Sequence, residues 1–181
     1  MAFYLCTNGT WHEHQFSYLE NEIFNLRLEK TLAPNKTKSP DSNVKEEDRL
    51  EVIVHELMKE NPLTVEDSTP LPVIRKIFKE KRIRHLPVLK DSSKVVGIIS
   101  DRDLLKVETM GTFQFLKAHE IMNTIIILVD EDTPVAHVAK VMIEEKISAM
   151  PVINLKHEMI GIITKTDILR GVFDFKLRAN S

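Results

Sequence analysis

The sequence predicts an α+β fold: two tandem β-α-β-β-α repeats packed about a pseudo-twofold axis, with an N-terminal extension. Three observations predict it. First, GIISDRDLLK, beginning at Gly97, returns as GIITKTDILR at Gly161. Second, a shift of 161 − 97 = 64 residues keeps the register without an insertion: His55-Glu56 falls on His119-Glu120, Met58 on Met122, Thr69-Pro70 on Thr133-Pro134, Pro87-Val88 on Pro151-Val152 and Asp103 on Asp167. Third, one copy of about 55 residues buries too little apolar surface to offset its chain entropy, so two copies must share a core.

The elements follow in order. Phe16, Leu19, Ile23, Leu26 and Leu28 keep a spacing compatible with a short amphipathic helix. Residues 31–49, TLAPNKTKSPDSNVKEEDR, combine two prolines with small polar and charged residues and read as a linker running into a helix start. The chain thus divides into an extension and linker over 1–45, a first repeat over 46–112 and a second over 113–181. Leu63-Thr64-Val65 and Ile125 through Val129 are short β-favouring runs. Thr69-Pro70 and Thr133-Pro134 then predict a hydroxyl N-cap with proline at the first helical position. Val73, Ile74, Ile77 and Phe78 form the apolar face of the first helix, and Val135, Val138, Ala139 and Met142 that of the second. Leu86 to Leu89 with Val95 to Ile99, and Met150 to Ile153 with Met159 to Ile163, read as hairpins. Pro87 and Pro151 place their strands at a sheet edge or at a strand start, because proline donates nothing to a ladder. A closing helix begins at Ser100 and again at Thr164.

Composition narrows the function classes. With 43% hydrophobic and 29% charged residues among 181, the chain is an ordinary globular protein. A net charge of −2 supplies no global field for nucleic acid or an anionic membrane, leaving only a local patch to hold either. The lone Cys6 makes no internal disulfide, which suits a reducing compartment such as the cytoplasm. MAFYLC is too short and lacks the basic flank of a signal peptide, and no run approaches the ~20 apolar residues of a membrane helix. The sequons at Asn8 and Asn35 read as chance matches.

The chemistry lies in the doubled S/T-x-x-D. A hydroxyl at the N-cap and a carboxylate three residues on make a variant capping box. The usual partner is Glu or Gln, and the shorter Asp leaves its carboxylate freer to face outward. There it can accept hydrogen bonds from the vicinal hydroxyls of a ribose, while the hydroxyl and the first-turn amides meet a phosphate. Apolar flanks of the cleft would sandwich a flat base, so the pattern as a whole suits a nucleotide.

HELM and HEIM leading in, HLPVL and MPVI on the middle strands, and GIISDRDLL and GIITKTDIL at the close together resemble the CBS-domain pair, or Bateman module, over about residues 50 to 175. The resemblance implies a regulatory sensor, not an enzyme, that binds AMP, ADP, ATP or S-adenosylmethionine between the copies and pairs into disc-shaped homodimers. It implies that Asp103 and Asp167 hold ribose, that Ser100 and Thr164 approach phosphate or ribose, that Thr64 and Leu128 border the base, and that Pro87 and Pro151 shape the neighbouring strands. The copies differ where charge matters: Arg84-His85 precedes the first Leu-Pro, where the second copy has Ser148-Ala149. The better phosphate site is expected where Arg84 and His85 face, with Arg102 as a helper, unless those residues form only a solvated strand end.

Other features carry less. RKIFKEKRIR, from Arg75 to Arg84, could contact nucleic acid but keeps the spacing of an amphipathic helix's polar face. His12 and His14 lack a third metal ligand, His55 and His119 read as helix-flank residues, and Met58, Met122, Met142 and Met150 as core fillers. No catalytic constellation, P-loop or zinc-ligand set is visible. The expectation is a stand-alone CBS pair that signals through its dimer or an unidentified protein target; the alternatives are a structural or interaction module with empty clefts and, less favoured, a nucleic-acid-binding regulator.

Overall fold

The computed structural model describes residues 2–19 and 52–179. The linker over 31–49 and most of the helix expected after Phe16 lie outside them; within them, residues 17–19 are helical.

The chain opens with β1 (Phe3–Thr7) and β2 (Thr10–His14), a hairpin turning through Asn8 (φ 50°) and Gly9 (φ 79°). Positive φ at both positions is the signature of the tight Asn-Gly hairpin turn. The first repeat follows as α1 (Val54–Leu57), β3 (Lys59–Glu60), β4 (Val65–Glu66), α2 (Leu71–Lys81), β5 (His85–Lys90), β6 (Lys94–Ser100) and α3 (Asp101–Val107). The second is α4 (Ala118–Ile121), β7 (Ile125–Asp130), α5 (Val135–Glu144), β8 (Ala149–Ile153), β9 (Met159–Thr164) and α6 (Lys165–Ala179).

Two sheets result. One runs β4-β5-β6 within the first repeat; the other has six strands in the order β2-β1-β7-β8-β9-β3. The β-α-β-β-α order of each repeat is therefore present, with β4 shortened to two residues and a short lead-in helix, α1 or α4, added in front.

The lead-ins are exchanged between copies. β3, from the first repeat, pairs with β9 of the second, while Asn123, ahead of β7, pairs with Ile98 in β6 of the first. α1 delivers Val54, Leu57 and Met58 to the core of the second repeat, among Val129, Val138, Met142, Met150 and Ile163. α4 delivers Ala118, Ile121 and Met122 to the core of the first, among Leu71, Ile74, Leu86, Val88 and Ile99. This exchange explains the glycine of each GII. A Cβ on Gly97 would lie 2.7 Å from Met122 Sδ and 2.9 Å from the Asn123 carbonyl; one on Gly161 would lie 2.6 Å from Met58 Sδ. Each glycine is the clearance under which the other copy's lead-in passes.

The same exchange corrects the expected helix starts. Pro70 and Pro134 are themselves the N-caps, in extended conformation, and neither helix has a side-chain cap. Their first amides are satisfied from the opposite copy: Leu71 N donates to Leu116 O and Val135 N to Val52 O, each at 2.9 Å. Thr69 and Thr133 contribute carbonyls, accepting from the amides of Ala118 and Val54. A further correction concerns Pro87 and Pro151, whose strands are central in their sheets. Each proline sits near the start of its strand, one residue before the parallel ladder to β4 or β7 begins at Val88 or Val152.

A third cluster seals the seam between the copies. Cys6, Val95, Ile126, Leu128 and Ile153 are buried together, with Tyr4, Trp11, Leu89, Ile98 and Met159 packed around them. β1 lies antiparallel to β7, with Leu128 opposite Tyr4, and Trp11 Nε1 donates to Val95 O at 3.2 Å. The N-terminal hairpin thus extends the sheet of one repeat and reaches across to the other.

Candidate functional site

Both hydroxyl–carboxylate pairs form at the ends of the second strands of the β5–β6 and β8–β9 hairpins. β6 ends at Ser100, opposite His85 of β5; β9 ends at Thr164, opposite Ala149 of β8. Ser100 Oγ donates to Asp103 Oδ2 at 2.6 Å, and the Ser100 amide donates to the same oxygen at 3.0 Å. Thr164 repeats the pattern, with Oγ1 at 2.6 Å and the amide at 2.9 Å from Asp167 Oδ2, and its hydroxyl accepts from Asp167 N at 3.3 Å. The expectation that the shorter Asp would leave its carboxylate free is corrected: both aspartates reach back to the N-cap amide and complete the box. Asp103 Oδ1 in turn accepts from Lys106 Nζ at 2.9 Å. Burial works to raise the Asp103 pKa, but the Ser100 hydroxyl, Lys106 and the Ser100 amide outweigh it and hold the carboxyl below its ordinary value.

The two pairs adjoin one seam. His85 Nε2 and Ser148 Oγ are 2.9 Å apart, joining the start of β5 to the residue before β8. The carbonyls of Arg84 and Ser148 accept the first-turn amides of Asp101 and Lys165, so each helix start is tied to the strand that meets its twin. Arg84 Nε donates to Asp101 Oδ2 at 3.1 Å while its side chain stays 63% exposed. Burial pushes the His85 imidazole below its ordinary pKa; Asp101 and Asp103 oppose that shift, and Arg84 and Arg102 add to it. Arg84, His85, Ser100, Arg102 and Asp103 therefore occupy one electrostatic neighbourhood, against Ser148 of the other copy. Thr64, half-buried, precedes the β4 residue that pairs with Val88, next to Pro87.

Leu128 stands apart. It has no exposed surface and lies in the seam cluster beneath the N-terminal hairpin, so it borders no open cleft in this arrangement. Pro87 and Pro151 are also buried and act through strand geometry. Lys106 was not singled out from sequence, and Ser148 only as the residue that replaces Arg84 in the second copy. The signal for Ser148 was its position 64 residues after Arg84, since 148 − 84 = 64 and the pseudo-twofold brings such positions together. The signal for Lys106 was its i+3 spacing from Asp103.

The remaining candidates are accounted for locally. Arg75 pairs with Glu108 at 3.0 Å and stacks over Phe113, and Lys76 pairs with Glu80, so part of the basic stretch is already neutralised. His14 packs edge-on against Phe16, and among the described residues no group of three or more His, Cys, Asp and Glu is placed to hold a metal ion. No helix among the described residues is long and apolar enough to cross a membrane.

Against known proteins, the CBS domain profile matches twice, over residues 54–109 and 118–174. The chain belongs to the CBS-domain family. The CBS pair of protein MJ0100, solved in complex with 5′-methylthioadenosine and S-adenosyl-L-methionine, shares 32% identity at a TM-score of 0.62 and covers 69% of this chain and 98% of that one. CBSX2, solved in complex with AMP, shares 25% identity at a TM-score of 0.61, covering 68% and 98%. By sequence, L-aspartate semialdehyde sulfurtransferase of Methanocaldococcus jannaschii is 32% identical over 118 residues, which is 65% of this chain and 23% of that enzyme. The match to that enzyme thus spans under a quarter of its length. The matches place the duplicated pair firmly among CBS modules; the profile itself begins at Val54, after the N-terminal hairpin.

Proposed function

We propose that this CBS pair is a regulatory module that binds an adenosine-containing ligand, AMP, ADP, ATP or S-adenosylmethionine, along the His85–Ser148 seam. The observation that carries the proposal is the doubled hydroxyl–carboxylate pair flanking one seam. The support from relatives is that protein MJ0100, at 32% identity, was crystallised with two adenosyl compounds.

Asp103 and Asp167 are half-buried and already oriented by their caps, so a ligand would find them in place. A carboxylate accepts about four hydrogen bonds, so the capping bonds leave acceptor sites for ribose hydroxyls. Ser100 and Thr164 mark the phosphate or ribose side, and Thr64 the base side of the first site. Arg84 and Arg102, both exposed, supply positive charge for phosphate beside the first helix start, where Arg84 also pairs with Asp101; the second start offers the exposed Lys165, with Ser148 in the place of Arg84. The module binds its phosphate-bearing ligand on the Arg84 side. Binding shifts a conformational equilibrium only through differential affinity for two states, and the readout is a homodimer or a protein target that distinguishes them.

The completed capping boxes favour one other reading, a scaffold in which the aspartates serve only as caps. Thermal unfolding of the full chain with AMP, ADP, ATP or S-adenosylmethionine separates the two. A ligand at ~100 times its dissociation constant adds about 2.7 kcal/mol of stability. The sensor reading expects such a rise with at least one compound, reduced by Asp103→Ala. No rise with any of the four leaves the scaffold.

A further inference from the structure

A groove of ≈ 700 Å3 lies at the other end of the molecule's hairpins. Ser100 and Thr164 close one end of β5–β6 and β8–β9; the groove is built at the opposite ends, where Lys90 pairs with Lys94 and Ile153 with Met159. Six strand steps from Lys94 to Ser100, at ~3.3 Å each, separate it from the His85–Ser148 pair by about 20 Å. Its third wall is Gly9 to Trp11 of the N-terminal hairpin, outside the segments that match the CBS profile.

Trp11, Leu89 and Met159 line the groove with apolar surface. The indole is held in orientation by its hydrogen bond to Val95 O. On the rim, Ser92 is committed to Glu66 at 3.1 Å, and the Glu158 carboxylate accepts from Asn154 Nδ2 at 2.9 Å. Lys94 is exposed and makes no ion pair or hydrogen bond through its ammonium among the described residues, while its stem lies against the hairpin turn, where a Cβ on Gly9 would come within 3.1 Å of Lys94 Cε. Lys94 and Glu158 both line the groove, so its aromatic wall suits a flat ring whose negative charge sits on the side of the uncommitted Lys94 ammonium.

We propose that this groove is a second ligand site, specific to this chain's hairpin, for a small aromatic carboxylate or phosphate: the ring packs on Trp11 and Met159 and the anion meets Lys94. Such a ligand touches the hairpin and both repeats at once.

Trp11 is the only tryptophan in the sequence, so its emission reports the site directly. Full-length protein is titrated with phenyl phosphate and with benzoate, using benzyl alcohol and benzylamine as neutral and cationic controls. The expected result is a saturable change in Trp11 emission with at least one anion, with both controls weaker by about tenfold or more. Lys94→Met, an exposed substitution that spares the fold, weakens anion binding to the level of benzyl alcohol. Asp103→Ala leaves the titration unchanged, which separates this site from the seam. Absence of a saturable change with either anion overturns the proposal, as does equal binding by benzyl alcohol or an unaltered titration in Lys94→Met.

Discussion

Thr64 and Leu128 occupy equivalent positions in the two repeats and have opposite surroundings. Thr64 precedes a strand of two residues and is half-buried, whereas Leu128 stands within a six-residue strand and has no exposed surface. The difference arises because the N-terminal hairpin joins one sheet only: β1 pairs with β7 and not with β4, and together with the exchanged β3 this gives that sheet six strands against three. Charge diverges in the same sense, with Arg84 and His85 on the first copy facing Ser148 and Ala149 on the second. Duplication therefore preserved backbone register while the hairpin and a few side chains made the two halves unequal. A site in the first copy can remain open where its counterpart is roofed.

The sharpest test of that inequality is truncation at the paired position. Leu128→Ala should cost ~2–5 kcal/mol, the range for a buried leucine, whereas Thr64→Ala should cost under ~1 kcal/mol. Urea midpoints with unchanged m-values would measure both; equal losses would break the comparison. Next come the two clearances. Gly97→Ala should destabilise by about 1–3 kcal/mol, because its Cβ strikes a backbone carbonyl at 2.9 Å as well as Met122. Gly161→Ala should cost less, since its nearest backbone atom, Lys59 O, is 3.3 Å away and the Met58 side chain can yield. The smallest effect is electrostatic. Asp103 has a lowered folded pKa, so the stability it contributes is present above the ordinary carboxylate value of ~3.9 and is lost as pH falls through the folded value. Asp103→Asn should cost about 1 kcal/mol at neutral pH and flatten the acid limb of stability against pH below ~4. An unchanged acid limb would show that its bonds to Ser100 and Lys106 contribute nothing.

The repeat makes most of this architecture legible in the sequence. The offset of 64 carries the starts of α2, β5, β6 and α3 onto those of α5, β8, β9 and α6 to within one residue, while β4 and β7 differ in length, and the S/T-x-x-D pairs formed as capping boxes at the helix starts. Periodicity does not reveal which copy a short segment packs against, so the exchanged lead-ins were invisible, and with them the role of Thr-Pro as a docking step rather than an N-cap. The burial of Leu128 was hidden for a related reason, because the strand that covers it lies more than a hundred residues away in sequence. One local signal was available for that strand: Asn8-Gly9 between β-favouring residues marks a hairpin, although the same residues also spell a glycosylation sequon.

The crossing of the lead-ins gives the fold a topological property beyond its packing. A protease cut at Gly111, whose surroundings are open, would sever the covalent path between the copies without freeing them. The N-terminal fragment would still carry α1 inside its partner's interior, and the C-terminal fragment would return the same grip through α4. The nicked protein should therefore travel as a single particle, two pieces clasped like interlocked hooks.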